Sequence, residues 1–316
     1  MHIVLGIFFW VFLNSPVSAH DQTPISIVVP YSVGSAQDVF IRLISEPVAQ
    51  ELKARVLVVN KPGAGGTIAS AFVANAKPDG HTYLMAASSH HLAGAMYAGL
   101  KYHPLDSFRG VAFFGTSDFV LITPSSMQTQ NLASFVARVQ ANPNVFNYAS
   151  AGNGSTTHVG MLGFLKTANL QMTHIPLKGT GEIINEILTG RVQAAMVSLI
   201  SVYGYRSDPR IKFLAITDRQ RSENLPHVPT VMESGYPKFK WRSWAGLIGP
   251  AATPTEKAME MNRVVAKVLN DPIMKTRFMQ LGLSPYPSTL AQFDVVLKDD
   301  WHQANALMTD FKIQPD

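Results

Sequence analysis

The sequence ISIVVPYSVGSAQD, residues 25–38, is the best guide to the fold class of this chain. Its first part, Ile25–Pro30, is a short run rich in Ile and Val, as expected of a strand buried on both faces. A turn of small residues follows, and a helical pattern begins after it. A buried strand that leads through such a turn into a helix is the repeating unit of α/β proteins.

Nine further segments resemble that first strand, since each is short, apolar and bounded by Gly, Pro, Asn or Asp. They are Val56–Asn60, Thr82–Ala86, Val111–Phe114, Phe119–Thr123, Val145–Ala149, Met172–Pro176, Val192–Ser198, Ile211–Thr217 and Ala245–Ile248. Helical patterns lie between them, as in Asn131–Ala141 and Gly181–Thr189, and Pro47 is expected to kink or shorten the first helix. The alternation predicts an α/β protein with mostly parallel sheets. Two lobes suit the length better than one.

The composition narrows the function. The chain has 316 residues, 47% of them hydrophobic, and a formal net charge of +5, so it is not a disordered protein. It contains no Cys, which excludes disulfides, Cys-ligated metal sites and thiol catalysis. The mild positive charge favours a small anionic ligand and argues against a nucleic-acid partner. No motif in the chain calls for a cofactor.

The first 19 residues have the pattern of a secretory signal peptide. An apolar run from Ile3 to Leu13 ends before Pro16, and Val17-Ser18-Ala19 supplies the small residues of a cleavage site. The run is too short to span a membrane. Because no Lys or Arg precedes it, a buried N-terminal strand or helix is the alternative. The signal peptide predicts a periplasmic protein whose mature chain begins at His20.

Three strand-to-helix loops contain the small residues that a ligand site requires. They are Tyr31–Asp38, Asn60–Ile68 and Ala149–His158. Free backbone N–H groups at helix N-termini bind anions, although an ordinary turn also explains each loop taken alone. The last two loops lack the third Gly of a dinucleotide-binding motif, and no G-x-S-x-G segment marks a hydrolase nucleophile.

Seven spaced motifs, taken together, resemble those of the periplasmic solute-binding receptors of tripartite tricarboxylate transporters. They follow the family order across essentially the whole mature chain. They are the Pro30–Asp38 loop, Asn60-x-Pro62-Gly63-Ala64-Gly65-Gly66, Pro78-Asp79-Gly80-x-Thr82, Tyr148-Ala149-Ser150-Ala151-Gly152-Asn153-Gly154-Ser155 with His158, Pro176-x-Lys178-Gly179, Leu225-Pro226-x-Val228-Pro229-Thr230-Val231 and Trp244-x-Gly246-Leu247.

The resemblance implies a two-lobed periplasmic-binding-protein (Venus flytrap) fold with two hinge crossings, near Phe119–Thr123 and Trp241–Leu247. Lobe one is expected to comprise residues 20–121 plus 245–316, and lobe two residues 122–244. The implied ligand is a small organic carboxylate, held between the lobes by backbone groups and few charged side chains. The implied partners are the membrane subunits of a transporter, and we expect a monomer without a cofactor or a metal.

The resemblance also indicates which residues contact the ligand. They are Tyr31, Val33, Gly34, Ser35, Asp38, Ser88, Ala151, Asn153, Gly154, Ser155, Thr156, His158, Lys178 and Ser198. Of these, Asp38 is expected to hold its own loop, because a carboxylate repels an anion. The sequence departs from the family at three places: Val33-Gly34-Ser35 replaces a Pro-Gly-Gly segment, Gln193 stands where an acidic residue is common, and Ser198 stands where Asp is common.

A second function from a different class is a secreted hydrolase or isomerase that acts on a carboxylated substrate. Ser155 and His158 lie three residues apart at a helix start and could face one another as a nucleophile and its base. The sequence offers no third group that would orient the histidine. Turnover of esters or organic acids would distinguish this enzyme from a receptor.

Overall fold

The computed structural model describes residues 23–222 and 225–311. The predicted signal peptide therefore lies outside the described residues and stays a prediction. The strands are β1 (Ile25–Val29), β2 (Val56–Asn60), β3 (Thr82–Ala87), β4 (Phe108–Pro124), β5 (Asn147–Ser150), β6 (Thr173–Pro176), β7 (Ala194–Ser198), β8 (Ile211–Ile216), β9 (Arg242–Pro250) and β10 (Leu283–Pro285).

Ten α-helices connect these strands within the described part of the chain. They are α1 (Ala36–Leu52), α2 (Thr67–Ala74), α3 (Ser89–Met96), α4 (Leu132–Gln140), α5 (Thr156–Thr167), α6 (Thr180–Leu188), α7 (Leu199–Val202), α8 (Thr255–Asn270), α9 (Pro272–Gln280) and α10 (Leu290–Phe311). Short 3₁₀ turns occupy Ala64–Gly66, Ser125–Met127 and Tyr203–Tyr205. None of the helices in the described residues is long and apolar enough to cross a membrane.

The sheet has two halves that share strand β4. Its order is β2-β1-β3-β9-β4-β7-β5-β6, and β8 and β10 also pair with β4. Up to Asp118, β4 pairs with β9, whereas from Phe119 onward it pairs with β7 and β8. The chain thus passes from one half of the sheet to the other inside a single strand.

The expected parallel pairing holds for the outer strands only. Strand β1 pairs parallel with β2 and β3, and β5 pairs parallel with β6 and β7. The central strands β4 and β9 instead pair antiparallel with each other and with their other neighbours. The reason is geometric: β4 carries the chain out of the first half and β9 brings it back, so the two strands run in opposite directions.

Two predicted strands, Val111–Phe114 and Phe119–Thr123, are in fact one continuous strand. The intervening Gly115, Thr116 and Ser117 suggest a turn by composition, but their backbones pair with β9 and β10. The pairing register shifts between Phe113 and Gly115, where Gly115 has a φ of 139°. A bulge therefore accommodates residues that composition alone assigns to a turn.

Of the two effects expected of Pro47, a kink or a shorter first helix, the shortening does not occur, because α1 continues to Leu52. The helix buries Phe40, Ile41, Ile44 and Val48 in the core of the first half. Burial of an apolar side chain contributes about 1.5–3 kcal/mol, so four such residues offset the roughly 3 kcal/mol cost of an interior proline.

Each half of the sheet has its own hydrophobic core. Helices α1 and α8 pack their apolar faces onto the first half, where Met261 and Val265 are buried with Phe278 of α9. Helices α4 and α5 cover the second half, where Phe135 and Phe164 are fully buried. With separate cores on both sides, the carboxyl ends of the parallel strands are left to form the space between the halves.

Candidate ligand-binding site

One pocket lies where the starts of three helices meet the central strands. The space between its walls, including the mouth, is about 470 Å³. It is lined by Tyr31, Ser35, Ala36, Gln37, Phe40, Ala87, Ser117, Phe119, Ala151, Ser155, Thr156, Thr157, Thr180, Ser198, Ser243, Trp244 and Ala245. Ligands of α/β proteins bind at this position, outside the carboxyl ends of the strands.

The helices α1, α5 and α6 direct their N-termini at this pocket. Ser35 caps α1 by accepting from the Asp38 N–H at 3.4 Å, and Ser155 caps α5 by accepting from the His158 N–H at 3.3 Å. Helix α6 starts at Thr180, after an N-cap glycine without a side-chain acceptor. The remaining first-turn N–H groups have no partner within their own helices, and each helix adds a partial positive charge.

Four polar side chains of pocket-lining residues have no hydrogen-bond partner within the described residues, and one of them is the indole Nε1 of Trp244. The other three belong to Gln37, Thr156 and Thr180, which are 6%, 7% and 5% exposed. Buried polar groups are nearly always hydrogen-bonded, so such groups in a pocket are available to a ligand. Gln37 offers an amide that can donate and accept, and each Thr offers a hydroxyl.

The Asp38 carboxylate holds the β1–α1 turn in place. Asp38 accepts from the Gly34 N–H at 3.0 Å, from Arg42 at 2.9 Å and from Asn60 at 2.9 Å. The Asn60 amide also donates to the Tyr31 carbonyl at 3.0 Å. Asp38 is 2% exposed and is not among the residues that line the pocket. Its carboxylate therefore stabilises the loop itself.

The His158 imidazole holds the β5–α5 turn in the way that Asp38 holds the β1–α1 turn. His158 Nδ1 accepts from the Gly154 N–H at 3.1 Å. The ring stacks on His174 at a centroid distance of 4.0 Å, and His174 stacks on Tyr148 at 4.9 Å. Burial, together with the neighbouring His174, lowers the pKa of His158 to about 3. The imidazole is therefore neutral at physiological pH, which keeps Nδ1 an acceptor.

Residues of the central strands form another wall of the pocket. The hydroxyls of Ser117 on β4 and Ser198 at the end of β7 lie 2.9 Å apart. Ser243 on β9 accepts from the Ser88 N–H at 3.2 Å and donates to the Trp244 carbonyl at 3.1 Å. The rings of Phe119 on β4 and Trp244 on β9 also line the pocket, as does Phe40 of α1, and the buried Trp244 Nε1 has no hydrogen-bond partner within the described residues.

The turns that surround the pocket approach one another closely. A Cβ atom added to Gly179, ahead of α6, would lie 2.1 Å from the Ser32 hydroxyl in the β1–α1 turn. A Cβ atom on Gly65 would lie 2.4 Å from the Asn153 carbonyl in the β5–α5 turn. Glycine at these two positions lets turns from the two halves of the sheet approach one another this closely.

Tyr31 lies at one edge of the pocket. Its hydroxyl donates to the Gly65 carbonyl at 3.1 Å, and its side chain is 4% exposed. Burial raises the pKa of Tyr31 to about 12, so the phenol stays protonated. The residue both packs in the core and faces the pocket.

Six of the predicted contact residues line the pocket. They are Tyr31, Ser35, Ala151, Ser155, Thr156 and Ser198. Gly34, Asp38, Gly154 and His158 instead shape the turns beneath it. Of the others, Val33 is 66% exposed at the rim, Lys178 is exposed and its N–H donates to Glu182, Ser88 lies behind Ser243, and Asn153 approaches Gly65.

Sequence reasoning missed Gln37, Thr180 and the strand wall. Helix α6 begins directly after the Lys178-Gly179 motif, so a third helix start was readable from the sequence. The side chains of β4 and β9 gave no such signal. Their positions in the pocket depend on how the two halves of the sheet are placed.

The Ser155–His158 pair of the enzyme hypothesis is not assembled. The Ser155 hydroxyl is hydrogen-bonded to Thr157 Oγ1 at 2.9 Å and to the His158 backbone N–H. The imidazole Nδ1 of His158 is bonded to the Gly154 N–H instead. Since a general base must reach the hydroxyl that it activates, this geometry does not favour nucleophilic catalysis.

Comparison with known proteins identifies the family. A family model described as the tripartite tricarboxylate transporter family receptor, TctC, matches residues 40–313. The chain belongs to this receptor family. The receptor is 28% identical over 302 residues to BugT of Bordetella pertussis, a match that covers 94% of this chain and 93% of BugT.

Solved structures support the two-lobed fold of the receptor. It matches the periplasmic binding protein BugD with a TM-score of 0.88 and 26% identity, over 93% of this chain and 99% of BugD. It matches MatC of Rhodopseudomonas palustris, solved with bound malate, with a TM-score of 0.85 and 27% identity, over 90% of this chain and 98% of MatC. The receptor is a solute-binding protein of the periplasmic-binding-protein fold, as its sequence motifs predicted.

Proposed function

We propose that this receptor captures a small organic carboxylate in the pocket and delivers it, in the periplasm, to the membrane subunits of a tripartite transporter. The observation that carries the proposal is that three helix N-termini meet at one pocket. Each of them places a buried polar side chain without a hydrogen-bond partner in the pocket lining. Helix N-termini favour anions without any cationic side chain. The malate bound by MatC gives independent support for a carboxylate ligand.

The carboxylate is held by neutral donors. The Thr156 and Thr180 hydroxyls and the Gln37 amide supply side-chain hydrogen bonds, and the first-turn N–H groups of α1, α5 and α6 supply backbone ones. Ser35 and Ser155 keep those turns in shape through their capping bonds. Hydrogen bonds to a charged group are worth about 1.5–3 kcal/mol each, so a few of them suffice for micromolar binding.

Binding couples to closure of two lobes, residues 20–121 plus 245–316 and residues 122–244. The partner change inside β4 and the Ser32–Gly179 and Gly65–Asn153 approaches support this division. These close approaches between loops of the two proposed lobes support a closed arrangement, from which ligand would enter and leave by hinge opening. Small-angle scattering is expected to show a smaller radius of gyration with saturating ligand than without it. An unchanged radius in a protein that is open without ligand contradicts the hinge.

Titration calorimetry of matched variants tests the proposed function. Thr156→Val removes one buried, unpartnered hydroxyl and preserves side-chain volume, so we expect affinity for the best-bound carboxylate to fall tenfold or more. The control is Lys178→Ala, which removes an exposed cation beside the pocket and is expected to change affinity less than threefold. If Lys178→Ala abolishes binding and Thr156→Val does not, a salt bridge holds the carboxylate and the proposed mode of binding is wrong.

The same samples distinguish a receptor from an enzyme. The wild-type protein is incubated with a panel of carboxylic esters and organic acids, and product is measured beside binding. Saturable binding without product supports the receptor. Turnover that Ser155→Ala or His158→Asn abolishes would establish the hydrolase or isomerase instead.

A further inference from the structure

The charge distribution around the pocket restricts the ligand further. None of the described residues that line it is an Asp, Glu, Lys, Arg or His. The carboxylate of Asp38, next to Gln37 in sequence, is turned toward Gly34, Arg42 and Asn60. The positive potential in the pocket therefore comes from the helix starts, and helix-dipole effects fade within the first turn.

The strand wall has no cationic side chain among the described residues that could balance a second negative charge. Phe119 and Trp244 present rings there beside Phe40 of α1, Ser243 already donates its hydroxyl hydrogen to the Trp244 carbonyl, and the unpartnered Trp244 Nε1–H is a neutral donor. A carboxylate placed against this wall would lose its hydration without gaining a cation, and burial of an unpaired charge is strongly unfavourable.

The same wall can bind a neutral polar group. The Ser117 and Ser198 hydroxyls are bonded to each other at 2.9 Å, and Ser117 Oγ lies 3.5 Å from the Asp118 carbonyl. When Ser117 donates to Ser198, the Ser198 hydrogen is free for a ligand acceptor. When the direction reverses, Ser198 still offers a lone pair to a ligand donor. The pair thus adapts to a hydroxyl, a carbonyl or an amide.

We propose that the receptor selects a monocarboxylate with an apolar body and a neutral polar group at its far end, in preference to a dicarboxylate of the same length. The carboxylate lies at the three helix starts, the body lies against Phe40, Phe119 and Trp244, and the neutral group contacts the Ser117–Ser198 pair. The proposal rests on the proposed function and names the ligand class for that same site.

Two matched ligand series test it by calorimetry at pH 7.5, where both groups of a diacid are ionised. The aliphatic series is hexanoate, 6-hydroxyhexanoate and adipate, and the aromatic series is benzoate, 4-hydroxybenzoate and terephthalate. In each series that binds, we expect the hydroxy acid to bind at least tenfold more tightly than the diacid. A diacid that binds as tightly as the hydroxy acid in either series overturns the proposal but leaves the proposed function intact. If none of the six probes binds while another organic acid of the panel does, the proposed ligand class is wrong and the proposed function stands.

Two variants assign the selectivity to the strand wall. Ser198→Ala is expected to narrow the affinity ratio of the hydroxy acid to the plain monoacid at least fivefold. Thr156→Val, at the carboxylate end, is expected to weaken both by the same factor and leave the ratio unchanged. Circular dichroism and melting temperatures verify that both variants are folded. A ratio that Ser198→Ala does not change shows that the wall does not recognise the neutral group, and the proposal is then wrong.

Discussion

The turns β1–α1 and β5–α5 share a backbone conformation, but a different kind of side chain stabilises each of them. Each has a glycine with positive φ before a capping serine, namely Gly34 at 83° and Gly154 at 71°. The caps Ser35 and Ser155 share φ values of −67° and ψ values of 161° and 158°. Four residues after each glycine, a side chain reaches back to its N–H group, at 3.0 Å in one turn and 3.1 Å in the other.

The difference lies in the side chain that reaches back. In the first turn it is the carboxylate Asp38, which Arg42 and Asn60 hold in place. In the second it is the imidazole His158, which stacking and burial keep neutral. A turn that presents N–H groups to an anion thus needs an acceptor beneath its glycine, and either a paired charge or a neutral ring serves. The two solutions should respond differently to substitution and to pH.

The largest effect is expected from Asp38→Ala. The change leaves the Gly34 N–H without its acceptor and the Asn60 amide with one hydrogen bond fewer. Because the Asp38 side chain is only 2% exposed, water cannot readily replace these bonds. We expect the free energy of unfolding to fall by about 2–4 kcal/mol, measured by urea denaturation. Arg42→Ala is the control, because Arg42 is half exposed and should cost about 1 kcal/mol or less. Equal losses in the two variants would show that the ion pair, and not the bonds to the turn, holds the loop.

Acid is expected to destabilise the second turn. Because the folded-state pKa of His158 is lowered to about 3, the unfolded chain binds a proton near pH 6.5 that the folded chain does not bind. Stability is therefore lost as pH falls below 6.5, by about 2 kcal/mol at pH 5 from this residue. The buried His90, with a pKa lowered to about 3, adds a loss with the same sign.

The variant His158→Asn separates the contribution of His158 from that of His90. The Asn side-chain carbonyl can accept from the Gly154 N–H but does not titrate. Between pH 7 and pH 5, the free energy of unfolding of the variant should therefore fall less than that of the wild type. Urea denaturation at the two pH values measures this difference. Parallel losses in wild type and variant would mean that His158 is not the group that takes up the proton.

Gly179→Ala is expected to impair the meeting of the first turn with the start of α6. The φ of Gly179 is 171°, which any residue adopts, but the added Cβ would lie 2.1 Å from the Ser32 hydroxyl and 3.2 Å from its Cβ. We expect affinity to fall about tenfold, or 1.4 kcal/mol, with little change in the melting temperature. Calorimetry of the double variant with Ser32→Gly should recover most of the affinity. A loss that this second change does not rescue would place the effect elsewhere.

The smallest effect is expected from Tyr31→Phe. It removes one hydrogen bond, to the Gly65 carbonyl at 3.1 Å, and keeps the ring. A single neutral bond is worth about 0.5–1.5 kcal/mol, so the melting temperature should fall by a few degrees and affinity by a few-fold. Thermal melts with and without ligand measure both. A stability loss with unchanged affinity would assign Tyr31 to packing alone.

Much of the fold is readable from local pattern. The strand β2 begins and ends at the predicted residues, and Gly190 follows the predicted helix α6 with a φ of 72°. These elements are set by apolar runs and by residues whose conformations are restricted locally. The single long strand β4 is not readable in this way, because Gly115–Ser117 pair with β9 and β10, which are distant in sequence.

The family, the two helix-start turns and the neutral character of their donors could all be predicted from the amino-acid sequence. Those features depend on residue types and on spacing within a few positions. Local pattern could not predict that Gln37 and Thr180 line the same pocket as Thr156, or that Ser117 contacts Ser198. These contacts join elements from both halves of the sheet, so their geometry depends on the path of β4 and β9 between the halves.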